Sequence, residues 1–226
     1  MEHESDLNFP GAATVDFGGE TFVLLPGRAL WWPRLQTLVV ADVHLGKGAA
    51  FRKLGVPVPA GGSMKDLGRI ATLAQRTGAS RIIVLGDLVH ARASYQPELR
   101  EAMLAWREKH SDVNLLLVRG NHDRTAGRLA GELNIEEAEE PVGCGGILLS
   151  HVPRYDLGRP VLAGHVHPVV SVRDFDRSRV RLPCFVLDED CCATLPSFGS
   201  FTGGHPVGAK PGRRIYLAAE TSVVKY

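Results

Sequence analysis

The chain repeats one pattern: a short apolar run that ends abruptly in an acid, an amide or an imidazole. Leu38-Val39-Val40-Ala41 ends in Asp42-Val43-His44, and Ile82-Ile83-Val84-Leu85 ends in Gly86-Asp87. Leu115 to Val118 runs into Arg119-Gly120-Asn121-His122-Asp123-Arg124. Ile147-Leu148-Leu149 ends in Ser150-His151, and Val161-Leu162-Ala163 in Gly164-His165-Val166-His167. Runs without polar alternation predict strands buried on both faces. Helical patterns separate the first of them. Met64, Leu67, Ile70, Ala71 and Ala74 recur at helical spacing before Thr77-Gly78, and Leu99, Ala102, Met103 and Trp106 before Lys109-His110. Buried strands alternating with helices restrict the chain to the α/β class.

The flanks are β-like. Phe22 to Leu25 and Ala29 to Trp32 predict a pair of strands joined at Pro26-Gly27. Beyond Pro168 come Val169 to Val172, Val180 to Leu182, Phe185 to Leu187 and Ile215 to Leu217. No linker-like or low-complexity stretch interrupts residues 1–226, so a single domain is expected. Its predicted layout is two sheets packed face to face with helices outside.

Composition narrows the class of function. The chain is 44% hydrophobic and 23% charged, as in an ordinary globular protein, and its formal charge is +1. That balance provides no broad attraction to nucleic acid or membrane, so any nucleic-acid contact must be local. The acidic start, Met1 to Asp6, lacks the pattern of a secretory signal, and no apolar run is long enough to span a bilayer. Cys191 and Cys192 are adjacent, which suits no bond between them, and C-x-x-C spacing is absent. Reduced thiols in a cytoplasmic protein are expected, with Cys144 and Cys184 as small core residues.

Ligands collect at the carboxyl ends of strands in open α/β sheets. Here those ends carry Asp42, His44, Asp87, Asn121, His151, His165 and His167. One aspartate after a strand is usually a turn former or a helix cap, and one histidine is usually an ordinary surface or core residue. The pairs Asp42/His44 and His165/His167 differ, because period-two spacing on extended chain directs both side chains the same way. Imidazoles mixed with carboxylate and amide oxygen suit Mn, Fe or Zn rather than calcium, and the set lacks the thiolates of a structural zinc site. The donors are too many for one tetrahedral ion. Two ions bridged by a carboxylate fit, an arrangement used in phosphoester hydrolysis.

In their order, D-x-H, G-D, G-N-H-D, H and G-H-x-H, these blocks resemble the signature of the calcineurin-like metallophosphoesterases. The resemblance implies a four-layer α-β-β-α sandwich and two divalent ions, Mn first, with Fe or Zn as alternatives. It implies that Asp42, His44 and His167 hold one ion, that Asn121, His151 and His165 hold the other, and that Asp87 bridges them. His122 would face the scissile phosphate, oriented by Asp123. Trp31-Trp32-Pro33, the run Asp42 to Lys47, and the stretch Leu195 to Gly204 are similar to a bacterial branch, the ligase-associated DNA damage response endonucleases of the PdeM type. That branch implies a phosphodiesterase acting on DNA, single-stranded or flapped, and a DNA ligase, a helicase and a second nuclease as partners.

The expected chemistry is attack on phosphorus by a hydroxide activated between the ions, with His122 assisting the leaving oxygen. Arg119, Arg124, Arg92, Arg52 and Arg154 are candidates for gripping phosphate, against the plainer reading of solvated surface charges. His90, close after Asp87, is a candidate for substrate contact or for support of the metal ligands. A phosphatase or nucleotide pyrophosphatase, and a non-catalytic scaffold, are the competing functions.

Overall fold

The computed structural model describes residues 9–173, 179–189 and 191–226. The acidic start, with His3, lies outside the described residues. The first half of the chain builds one sheet and its helices. Strands β1 (Ala13–Phe17), β2 (Glu20–Leu25), β3 (Ala29–Trp32) and β4 (Thr37–Ala41) are followed by helices α1 (Lys47–Lys53) and α2 (Gly62–Thr77). Then come β5 (Arg81–Leu85), α3 (Pro97–Lys109), β6 (Asn114–Val118), α4 (Asn121–Ala126), α5 (Ala130–Leu133) and β7 (Glu136–Ala138). These strands lie side by side in chain order. They are antiparallel from β1 to β4 and parallel from β4 to β7.

Three strands, not two, precede the first ligand strand. Sequence patterning missed β1 because it alternates half-buried and exposed residues with only Val15 and Phe17 turned inward. The parallel strands read as predicted, since each is apolar on both faces. Leu38, Val40, Ile82, Val84, Leu115 and Leu117 pack outward against Leu67, Ile70, Leu73 and Ala74 of α2 and Met103 of α3. Their alternates Val39, Ala41, Ile83, Leu85, Leu116 and Val118 point inward to the second sheet.

That second sheet contains β8 (Val142–Cys144), β9 (Ile147–Leu149), β10 (Val161–Ala163), β11 (Pro168–Arg173), β12 (Arg179–Asp188), β13 (Cys192–Thr194), β14 (His205–Pro206), β15 (Arg213–Ala218) and β16 (Val223–Lys225). Its order is β14-β11-β12-β13-β10-β9-β8, with β15 and β16 attached beside β12. The segments predicted around Pro183 form one strand. Proline donates no ladder bond, and Pro183 sits where β12 changes partner: β11 pairs up to Pro183, and β15 pairs from Cys184 onward.

Phe185, Leu187, Leu162, Ile147 and Tyr216 meet the inward face of the first sheet. The two packed mixed sheets are thus as expected. Helices cover only one outer face, because Ala126 of α4 and Leu133 of α5 join the same cluster as α2 and α3. Among the described residues no helix covers the other face, where Leu157 and Val207 from loops pack against Val161 and Cys184 and their neighbours. The connection between β9 and β10 contains Pro153, Gly158 and Pro160, which disfavour a helix there.

Candidate metal centre

Five of the predicted ligands share an uncommon backbone. Asp42, His44, Asp87, His165 and His167 all lie at positive φ, between 50° and 67°. For residues with a Cβ this conformation is unfavourable, and it persists where the surroundings over-determine it. Each strand therefore turns sharply at its end and aims its side chain across the sheet edge. The parallel pairing of β4, β5 and β6, and the bridge between Ala41 and Ser197, bring these turns together. Two glycines make the room. A Cβ on Gly120 would stand 2.2 Å from Asp87 Oδ1, and one on Gly86 would stand 2.0 Å from His151 Nδ1.

The donors converge in two aspartate-containing sets, Asp42/His44/His167 and Asp87/His151/His165, and a third set, His44/His90/His122, shares His44 with the first. In the first, His167 Nε2 lies 3.2 Å from Asp42 Oδ1. Asp42 Oδ1, both ring nitrogens of His44 and His167 Nε2 are buried without a hydrogen-bond partner. In the second, His151 donates from Nδ1 to the carbonyl of Leu85 at 3.1 Å, which leaves Nε2 bare in the neutral ring. That bare nitrogen faces Asn121 Oδ1 at 3.0 Å and His165 Nδ1 at 3.0 Å. Lone pairs aimed at one another, with orphaned donors alongside, are what a cation would satisfy. Asp87 stands between the sets: its Oδ2 is 3.8 Å from His44 Nε2 and 3.5 Å from His151 Nε2. The chemistry of these residues fits divalent metal ions, with Asp87 within 3.8 Å of imidazoles of both sets.

Electrostatics agree with ligand duty. Burial pulls the His44 imidazole down to about 2, with the Lys47 cation and neighbouring imidazoles adding to the effect. Burial lowers His165 as well. Both rings are held neutral, with lone pairs available to a metal. Burial raises the Asp87 carboxyl, the effect that a bound cation would reverse.

His122 stands outside the two aspartate-containing sets and is partly exposed. Its backbone N–H donates to Asp87 Oδ1 at 2.9 Å, and its Nε2 lies 4.0 Å from Asp87 Oδ2. The expected contact from Asp123 is not what holds its ring. Asp123 instead accepts backbone N–H bonds from Asp87 at 2.7 Å, Gly120 at 3.0 Å and Val89 at 3.3 Å. It ties the loops after β5 and β6 together, and the carbonyl of His90 takes the bond from His122 Nδ1. The His90 ring stacks on His122, with centroids 5.0 Å apart, so His90 supports His122 through backbone and ring alike.

The arginines separate clearly. Arg119 is buried, bound to Glu139 at 2.9 Å, near Glu137 at 3.6 Å, and donates to the carbonyls of Asp123 and Gly127. It braces the loop and is not placed to grip phosphate. Arg124 is held by Glu139 and Glu140, and Arg154 by Asp156. Arg92 and Arg52 are exposed and, among the described residues, have no carboxylate partner.

Two residues of the site were not singled out from the sequence. Lys47 is half-buried beside the centre, and its charge acts on His44 and His90. The run Asp42 to Lys47 was its only signal. Glu140 accepts the backbone N–H of His151 at 2.7 Å and of Val152 at 2.9 Å, with Ser150 Oγ at 2.8 Å, and so fixes the ligand loop. Nothing local in the sequence marks Glu140.

The family described as calcineurin-like phosphoesterase matches residues 35–181, well over half of the chain. The chain belongs to the calcineurin-like phosphoesterase family. Among the curated proteins none matches it. Among solved structures, this phosphoesterase is similar to the Pseudomonas putida nuclease MPE, with 36% identity over 95% of this chain and 100% of that one and a TM-score of 0.83. It is also similar to Yfce, a phosphoesterase from E. coli, with 17% identity over 83% of this chain and 96% of that one and a TM-score of 0.42. As a member of this family it is a hydrolase of phosphoesters that uses divalent metal ions, and its two donor sets are candidate holders for them. Among the described residues, no helix is long and apolar enough to cross a membrane.

Proposed function

We propose that the protein is a phosphodiesterase that cuts DNA internally, on single strands or flaps, using two Mn ions. The observation that carries this reading is the pair of aspartate-containing donor sets with Asp87 within 3.8 Å of imidazoles of both, and His122 beside them but in neither. The likeness to a nuclease along nearly the whole chain supports the choice of nucleic acid.

Asp42, His44 and His167 would hold one ion; Asn121, His151 and His165 would hold the other, with Asp87 common to both. Metal bound there lowers the pKa of water from about 15.7 to roughly 7 and offsets negative charge on phosphoryl oxygens. The chain's own part is positional. Asp87 binds the His122 backbone and shares in holding metal, so the imidazole is in register with the reacting phosphorus. The His90 carbonyl keeps a proton on His122 Nδ1, so a ring carrying a second proton on Nε2 would give that proton to the leaving oxygen and end as the neutral Nδ1–H imidazole. In the cell this reading places the enzyme in the cytoplasm, in DNA repair, alongside a DNA ligase, a helicase and a second nuclease.

The formal charge of +1 favours a second reading, a phosphatase or pyrophosphatase on a small substrate, because extended duplex binding needs a basic surface. Mn-loaded protein tested side by side on a chromogenic phosphodiester, a chromogenic phosphomonoester and single-stranded DNA separates the two. Cleavage of the diester and of DNA is expected. Preference for the monoester, with DNA intact, sinks the nuclease reading.

A further inference from the structure

In a chain of near-zero net charge, the stretch between Asp42 and Asp66 contains Lys47, Arg52, Lys53 and Lys65 and no carboxylate. The first three belong to α1, which begins only three residues after the candidate ligand His44. The 3₁₀ turn Arg92–Ser94 packs against α1, so that a Cβ on Gly46 would touch Ser94, and it brings Arg92 to the same side of the site. The bridge between Leu45 and Val89 ties both segments to the ends of β4 and β5.

These cations differ from the others near the centre. Arg119, Arg124 and Arg154 are each neutralised by a carboxylate. Lys47, Arg52, Lys53 and Arg92 have no such partner among the described residues; the one polar contact in the group is from Arg52 to the carbonyl of Pro59 at 3.0 Å. Apolar surface lies among them. Phe51 is half-buried, while Leu54 is 79% and Val56 45% exposed. Cations without counter-charges beside exposed apolar side chains are what unpaired nucleotides need, phosphates on one side and base faces on the other.

We propose that α1, its exposed end through Val56 and the Arg92 turn form the track along which a single-stranded DNA substrate reaches the metal centre. The proposal rests on the nuclease reading and deepens it. It also answers the objection from net charge, since the positive surface is local. Seven residues of helix extend about 10 Å, so Arg52 and Lys53 serve nucleotides flanking the cleaved bond while Lys47 lies nearest the centre.

The test uses full-length Mn-loaded protein, wild type and the double variant Arg52→Ser/Lys53→Ser, with Leu54→Ser as a separate probe of the apolar part. Each is assayed on a fluorescent single-stranded oligonucleotide, on RNA of the same sequence and on a small chromogenic diester, and oligonucleotide binding is read by anisotropy. In the double variant KM and Kd for the DNA should rise about five- to ten-fold while kcat changes less than about two-fold. The salt slope of binding should fall by about 0.7 for each lost phosphate contact. The small diester should lose far less, because it does not extend along the helix. Leu54→Ser should weaken DNA binding without changing the salt slope. Unchanged KM and salt slope for DNA, equal losses on the small diester, or an effect confined to RNA would each overturn the proposal. A wild-type protein that hydrolyses the small diester, binds DNA through this surface and never cuts it would sink the nuclease reading instead.

Discussion

Asp123 uses both carboxylate oxygens on backbone amides, those of Asp87, Val89 and Gly120, and so clamps the loops that carry a shared ligand and the free imidazole. An amide in its place keeps one acceptor and turns an N–H₂ toward buried donors. Asp123→Asn should therefore lower stability by about 1–3 kcal/mol, read as a shifted denaturant midpoint, with turnover falling alongside. A fall in kcat at an unchanged midpoint would return Asp123 to the role of orienting His122. For His122→Ala we expect kcat to drop by about 10²–10⁴-fold while metal content by elemental analysis is retained, because its ring belongs to neither donor set of Asp87 nor of Asp42. The candidate ligands were legible in the sequence, since each lies at a strand end in a fixed motif. What Asp123 and Arg119 do was not legible, because their partners come from residues whose proximity only the folded loops create.

The elements place the site through contacts distant in sequence. The stretch Leu195 to Gly204 closes over the first ligand turn: Phe198 N–H donates to the carbonyl of Ala41 at 2.8 Å, and Ser197 Oγ to that of Asp42 at 2.9 Å. Asp66 of α2 anchors this stretch by accepting from Ser200 N–H at 3.0 Å and Ser200 Oγ at 2.6 Å, while Arg69 bonds the carbonyl of Phe198 at 3.0 Å. Asp66→Ala should loosen the loop and weaken metal binding at Asp42 and His44, seen as a higher Mn concentration for half-maximal activity, with the sheets intact by circular dichroism. Mn dependence equal to wild type would show that the loop is held without Asp66. Helices and buried parallel strands followed from apolar periodicity. β1 and the unbroken β12 did not, because a half-exposed edge strand and a strand that changes partner at a proline have weak local patterns.

At the scale of the whole molecule, the buried imidazoles make stability depend on pH. His44 is depressed from 6.5 to about 2 and His90 to about 4, both chiefly by burial, so the unfolded chain takes up protons that the folded one refuses. Their contribution is complete above pH 6.5 and is lost as pH falls, at about 1.4 kcal/mol per pH unit for the buried His44. Asp123, raised by burial to about 6, acts oppositely: its contribution is present below 3.8 and lost as pH rises through 6. With His165 also lowered and Asp87 also raised by burial, three imidazoles outweigh two carboxyls, so chelator-treated protein should have a lower denaturant midpoint at pH 5 than at pH 7; an equal or higher midpoint at pH 5 would contradict this. The sequence by itself determined the class of fold, the ligand types and their order, because buried strands and motif spacing are local properties. Only the tertiary structure decided which charges are spent within the protein and which remain for a substrate. Arg119 and Arg124 meet carboxylates from a neighbouring loop, whereas the cations of α1 and the Arg92 turn form no ion pair among the described residues, and that pairing is set by three-dimensional proximity alone.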